Sequence, residues 1–159
     1  MYYAEYDSPV GILLLESDGE ALTGLWMNRD RPENTACLPV FDRTAEWLDA
    51  YFRGEAPVID FPLKPEGTAF RKMIWQFLLE IPFGQTRTYG DLARQAARTL
   101  GKEKMSPQAA GGAVGSNPIS IIIPCHRIIG ADGSLTGYAG GLENKKWLLR
   151  HEGSLEEEI

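Results

Sequence analysis

Cys125 and His126 are adjacent in the chain, and Arg127 follows them. With only two cysteines and two histidines among 159 residues, the pairing is a narrow signal. A thiol becomes a strong nucleophile once it loses its proton, and an imidazole is the side chain best suited to take that proton near neutral pH. Nucleophile and base together are the equipment for covalent chemistry at sulfur. The plainer alternative is a buried cysteine next to a surface His-Arg pair, because free cysteine is among the most buried residue types. Ahead of the pair stand Ile121, Ile122, Ile123 and Pro124. Three β-branched residues in a row predict a buried strand, which the proline then stops for want of an N–H. A thiol at the end of a rigid element is held in place yet reachable.

The elements that must position this stretch follow in chain order. Residues 2–7, 10–17 and 22–27 alternate like strands, with turns at Ser8-Pro9 and around Asp18-Gly19, and predict a small antiparallel meander. Residues 28–39 are polar and hold two prolines, hence a loop; its Cys37 reads as an incidental free thiol. Phe41, Thr44, Ala45, Leu48, Tyr51 and Phe52 recur at helical spacing, and Gly54 closes that helix. Residues 56–66, with Pro57, Pro62 and Pro65, predict a linker. From Thr68 the apolar positions Phe70, Met73, Ile74, Phe77, Leu78 and Ile81 form a helical stripe. Thr88 with Asp91 three residues on is a near capping box opening a second helix. Ser106 and Pro107 open a third, since proline costs nothing at the first helical position.

Two helices joined by a short connection predict a helix-turn-helix. The helix after Pro107 is unusual, because it contains Gly111-Gly112, and glycine costs about 1 kcal/mol relative to alanine inside a helix. Its neighbours Ala109, Ala110 and Ala113 are small too. Such a slim helix fits either tight packing on another helix or entry into a narrow groove, and the DNA minor groove is only about 6 Å wide. After Cys125 come a turn at residues 130–133, a glycine-rich loop at 137–141 holding Tyr138, and a helix over 142–150.

Hydrophobic content of 43% is enough for a core. The cysteines form no CxxC and no ladder of spacings, so neither a disulfide framework nor a zinc site is indicated. A reducing cytoplasm is the natural setting. The N-terminus lacks the basic start and apolar run of a signal peptide, and no run approaches a membrane span. Net charge is −6, unevenly divided. Residues 1–66 carry 13 acidic and 5 basic side chains, whereas residues 67–153 carry 6 acidic and 11 basic. The half with Cys125 is the basic half, a weak pointer to a polyanionic partner.

Taken together, Asn117-Pro118, Ile123-Pro124-Cys125-His126-Arg127-Ile128, Gly137-Tyr138-Ala139-Gly140-Gly141-Leu142, Trp147-Leu148-Leu149 and His151-Glu152-Gly153 resemble the O6-alkylguanine-DNA alkyltransferases, also called methylated-DNA–protein-cysteine methyltransferases. Phe83-Gly84 and Thr88-Tyr89 fit as well. The resemblance covers residues 67–153; residues 1–66 fit only in length and strand pattern. It implies an α+β protein. A small N-terminal α/β domain with an antiparallel sheet, ribonuclease H-like, would span 1–66, ending in the linker at 56–66. A mainly helical C-terminal domain with a helix-turn-helix would span 67–153. An acidic tail, 154–159, is expected to be disordered.

The resemblance also implies an activity: DNA repair by flipping an O6-alkylated guanine (with O4-alkylthymine as a second substrate) out of duplex DNA and moving its alkyl group to Cys125. Each molecule would react once, without metal or cofactor, as a cytoplasmic monomer with no membrane contact. His126 would reach the thiol through a water, oriented by Glu152, which is the nucleophile–base–orienter logic with a water inserted. Tyr89 would give a proton to the departing purine. Tyr138 would wall the pocket, and the Ala139 N–H would contact the guanine oxygen where the family commonly has serine. The carbonyls of Cys125 and Ile128 would read the exocyclic amine. Asn117 would tie the helix-turn-helix to the active-site loop. Ser106, Gln108, Ala109, Gly111 and Gly112 would meet DNA. Arg127 and His151 are read as structural.

One position departs from the family pattern. Gln108 stands where an arginine usually fills the gap left by the flipped nucleotide, and glutamine carries no charge and stacks poorly. The loop at 99–105 is also longer than is common, and the zinc ligands of some members have no match. Two other classes compete. A sensor that binds alkylguanine without accepting the group would lack the cysteine that is retained here. A helix-turn-helix regulator would want Arg, Asn or Gln on its recognition helix, and Gln108 alone is a poor reader. Nothing marks the pocket of a cysteine hydrolase.

Overall fold

The computed structural model describes every residue except Arg31, Glu33, Thr136 and those at 156–159. The chain divides into two compact units, one comprising Met1–Glu66 with Pro118–Ser120, the other Gly67–Asn117 with the chain from Ile121 onward. The acidic side chains of the C-terminal tail lie outside the described residues.

In the first unit β1 (Tyr2–Ser8), β2 (Gly11–Ser17) and β3 (Leu22–Met27) form an antiparallel sheet in the order β1-β2-β3. The meander expected from the alternation is present. Leu13, Leu14 and Leu15 of β2 and Leu22 and Leu25 of β3 are buried, as are Val40, Phe41, Trp47, Leu48 and Tyr51 of α1 (Pro39–Phe52). The segment read as a linker is anchored to the sheet. Leu22 donates its N–H to the Pro62 carbonyl at 2.9 Å and accepts from the Lys64 N–H at 2.8 Å. Prolines leave gaps in a ladder but keep their carbonyls as acceptors, so a Pro-rich segment can still dock on a strand. Pro118 and Ser120 do the same further along β3: Leu25 donates to the Pro118 carbonyl at 2.9 Å and accepts from the Ser120 N–H at 3.1 Å.

The second unit is built from α2 (Ala69–Leu79), β4 (Arg87–Thr88), α3 (Tyr89–Leu100), α4 (Pro107–Gly115), β5 (Ile128–Ile129) and α5 (Leu142–His151). Thr68 caps α2 by accepting from the Arg71 N–H. At α3 both halves of the capping box form: Thr88 accepts from the Asp91 N–H, and Asp91 accepts from the Thr88 N–H. Aspartate is therefore long enough to close the box. Gly101, in the left-handed region at φ 68°, ends α3. Ser106 caps α4, with Pro107 at its start. Helix α4 packs on α2 and α3 through Ala110, Ala113 and Val114, and the Trp75 indole N–H donates to the Ala113 carbonyl at 2.8 Å.

The strand expected at Ile121–Ile123 does not exist. All three residues are buried, at 2% exposure or less, but they form a turn. Ile121 has φ 70°, a costly conformation for a β-branched residue, tolerated where burial over-determines it. Pro124, at φ −82° and ψ 65°, makes an inverse γ-turn closed by the Cys125 N–H donating to the Ile123 carbonyl at 2.8 Å. A short apolar run reports burial and leaves the backbone shape open. Cys125 thus begins a one-turn 3-10 helix, Cys125–Arg127, instead of following a strand. The sheet bonds expected upstream are made downstream, where β5 pairs in parallel with β4.

Candidate active site

A cavity of about 190 Å³ opens in the second unit, lined by Tyr89, Gly111, Val114, Gly115, Asn117, Cys125, Gly137, Tyr138 and Ala139. Each lining residue has a local reason to be there. The capping box fixes the first turn of α3 and with it Tyr89. Gly111 faces Tyr89: a Cβ built on it would lie 3.6 Å from the ring, in ordinary van der Waals contact. Asn117 leaves α4 buried, and its Nδ2 donates to the Ile123 carbonyl at 2.8 Å, so that one carbonyl takes both the γ-turn and the side chain. Tyr138 and Ala139 ride on the glycine loop. Cys125 is 6% exposed.

Behind the thiol lies a buried ionic cluster. His126 is fully buried, and its Nε2 is 2.6 Å from an oxygen of Glu152. Arg127 clamps the same carboxylate, Nε to Oε1 at 2.7 Å and an Nη to Oε2 at 3.1 Å, and donates its other Nη to the Ile81 carbonyl at 2.6 Å. Arginine's planar fork suits this two-point grip. The residue read as structural therefore orients the orienter, tying α5 to the end of α2.

The charge states follow. Burial alone would raise the Glu152 carboxyl, but the hydrogen bond from His126, then the hydrogen bonds and charge of Arg127, outweigh it and hold the group at about 2. An ionised carboxylate only accepts, so the His126 proton sits on Nε2 and Nδ1 is left as a base. Nδ1 is buried and meets no protein hydrogen-bond partner among the described residues. Burial also holds the imidazole below its ordinary value, against the pull of Glu152, so it is neutral and ready to accept a proton. Burial pushes the Cys125 thiol up; a hydrogen bond from Asn117 and the charge of Lys145 act the other way.

Of the other residues singled out in the sequence, Ser106, Gln108, Ala109 and Gly112 lie exposed along α4 and its cap. They line no part of the cavity, whereas Gly111 does. Ile128 is fully buried, and its carbonyl accepts from Lys145 Nζ at 2.7 Å. His151 stacks on Trp147 with ring centroids 4.9 Å apart, apart from the Cys125 cavity. Cys37 is exposed in the first unit. Lys145 is the residue the sequence reading missed. Within Asn144-Lys145-Lys146 it looks like a solvated charge, yet it precedes Leu148 and Leu149 by three and four residues, on the apolar face of α5. Among the described residues no group of three or more His, Cys, Asp or Glu side chains gathers to hold a metal ion, and no helix is long and apolar enough to cross a membrane.

The fold and site define an α+β protein with a buried, His-Glu-backed cysteine beside a helix-turn-helix. Two family models match in tandem: the ribonuclease-like domain of 6-O-methylguanine DNA methyltransferase over residues 1–65 and its DNA binding domain over residues 69–154. The methylated-DNA–protein-cysteine methyltransferase of Haemophilus influenzae is 47% identical over 96% of this chain and 86% of its own length. That of Methanosarcina acetivorans is 45% identical over 97% and 99%. The crystal structure of Mycobacterium tuberculosis OGT in complex with DNA, 42% identical, superposes with a TM-score of 0.85 over 97% of this chain and 94% of that one. The chain belongs to the methylated-DNA–protein-cysteine methyltransferase family.

Proposed function

We propose that this chain repairs DNA by moving the alkyl group of O6-alkylguanine, flipped out of a duplex, onto Cys125. The observation that carries this reading is the cavity itself: a thiol at its wall, a phenol on each of two other walls, and a neutral imidazole behind the thiol whose second nitrogen is locked onto Glu152. His126 Nδ1 takes the Cys125 proton through one water. The thiolate Sγ attacks the alkyl carbon; an S–C bond forms as the C–O6 bond breaks, and the electron pair passes into the purine. Tyr89 donates a proton to the departing base and recovers one from solvent. The product is a thioether, which no group in the cavity can cleave, so each molecule reacts once. Tyr138 holds the purine face, the Ala139 N–H meets O6, and the Cys125 and Ile128 carbonyls favour guanine over adenine through its exocyclic amine.

DNA enters along α4, whose exposed face carries Gln108, Ala109 and Gly112. No side chain there obstructs the approach: around a Cβ built on Gly112 there is nothing within 4 Å. Two free cysteines support a cytoplasmic setting. Intact mass after incubation with an O6-methylguanine duplex tests the reading. One methyl added to the wild type and to Cys37→Ser, and none to Cys125→Ser, is expected. A methyl on Cys37, or none on the wild type, would sink it.

A further inference from the structure

Lys145 is a buried cation that the transfer mechanism leaves unused. It is fully buried, one of the largest such side chains in the chain, and its ammonium donates to the Ile128 carbonyl at 2.7 Å. That hydrogen bond puts its charge beside the reactive turn. The Ile128 N–H donates to the Cys125 carbonyl, closing one 3-10 turn, and such a turn spans only about 6 Å of backbone. Helix α5 packs directly on this turn. We propose that Lys145 is the internal counter-charge of the Cys125 thiolate, held in place by the Ile128 carbonyl; this rests on the alkyl-transfer reading above.

The charges around Cys125 show why a second cation matters. On its own turn are His126 and Arg127; from α5 come Lys145 and Glu152; from α3 comes Tyr89 and from the glycine loop Tyr138. His126 is neutral at rest. Arg127 and Glu152 grip each other in two hydrogen bonds, so their fields largely cancel at a distance. Asn117 offers the thiolate a dipole but no charge. Before the proton moves, the positive field at the sulfur therefore falls to Lys145; once it has moved, the His126 imidazolium adds to that field, offset by the Glu152 carboxylate it is hydrogen-bonded to. The pair influence each other in opposite directions, as they must: burial pushes the ammonium down and Cys125 acts to restore it, while burial pushes the thiol up and Lys145 acts to lower it. A group buried at the cost of its own hydration is well placed to favour a nearby anion, because the interior screens weakly.

The test is the pH profile of Cys125 alkylation by free O6-benzylguanine in the full chain and in Lys145→Met, which keeps the side-chain length and removes the charge. The midpoint should move upward by about one unit, so that the rate near neutral pH falls about tenfold and recovers above the new midpoint. A loss of equal size at every pH would overturn the charge role and leave packing alone. A second measurement needs no folded Lys145 variant: the Cε NMR titration of Lys145 in the wild type and in Cys125→Ser. Coupling is reciprocal, so Lys145 should titrate higher in the wild type by about the same one unit, and coincident curves would overturn the proposal. If the wild type gains no mass from benzylguanine, the alkyl-transfer reading itself has failed. If it gains mass while the two profiles coincide, only the role of Lys145 has failed.

Discussion

Glu152 is ion-paired with Arg127 and hydrogen-bonded to His126 inside one buried cluster, and that makes its charge a stability term as well as a chemical one. Its folded carboxyl is held at about 2, below the ordinary 4.5. A depressed acid stabilises the fold above its unfolded pKa and loses that contribution as pH falls through the folded one. The window is therefore between about 4.5 and about 2, and the size, from the linkage relation, is on the order of 3 kcal/mol. Urea unfolding at pH 6 and at pH 3 should show the wild type losing stability that Glu152→Gln, already less stable at pH 6, does not lose again; parallel losses would remove Glu152 from the acid response. In the reaction, His126 and Glu152 should behave as one unit. Removing both should slow single-turnover alkylation little more than removing one, and additive losses would show that they act separately. At this scale the sequence was informative where chemistry is local. Cys125-His126-Arg127 and Glu152 stand in recognisable motifs. It was silent where burial decides: nothing in Asn144-Lys145-Lys146 marks which lysine turns inward, apart from its spacing to Leu148 and Leu149.

Among the elements, those whose ends carry their own chemistry were legible from sequence. Thr88 with Asp91, Ser106 with Pro107, and the Ser8-Pro9 turn each satisfy backbone groups locally, and each marks a real boundary. The stretch Ile121–Ile123 was not legible, because β-branched residues signal burial equally in a turn, and nothing in an apolar run announces that the Ile123 carbonyl will take the Cys125 N–H and the Asn117 side chain in place of a strand ladder. The two-residue pairing of β4 with β5 is too short to leave any period at all. Helix α4 separates two uses of glycine. Gly111 faces Tyr89, whereas Gly112 faces open space. Gly112→Leu should therefore leave the melting temperature unchanged or raise it slightly, since glycine is the poorer helix former by about 1 kcal/mol, while duplex affinity drops several-fold. Undiminished DNA binding by a stable Gly112→Leu would take this face of α4 out of the interface. Gln108 sits exposed in the first turn of the same helix. An arginine there can stack on bases and pair with phosphate, and an advantage of about 1 kcal/mol is about fivefold in a population. Gln108→Arg should speed repair in duplex DNA without changing the rate with free benzylguanine; equal effects on both substrates would exclude a part in flipping.

Across the whole molecule, charge is partitioned as the work is. The total of −6 would repel DNA if spread evenly. Instead residues 1–66 carry 13 acidic side chains against 5 basic, and residues 67–153 carry 11 basic against 6 acidic. Among the basic ones, Arg127 and Lys145 are buried in the site, so they neutralise no phosphate. The cations left for DNA lie on the surface, and Lys102 and Lys104, exposed in the connection between α3 and α4, adjoin the helix expected to enter the groove. Each phosphate neutralised by such a side chain releases condensed counterions, and affinity then falls with salt by a slope of about −0.9 per contact on a log–log plot. Binding to an unmodified duplex, measured by fluorescence anisotropy between low and moderate salt, should weaken steeply. The double variant Lys102→Gln, Lys104→Gln should reduce the magnitude of that slope by about 2, and it should leave alkylation of Cys125 by free benzylguanine untouched, because neither lysine lines the cavity. A wild-type slope near zero would mean that the basic half does not bind phosphate; an unchanged slope in the double variant would move the footprint away from the α3–α4 connection.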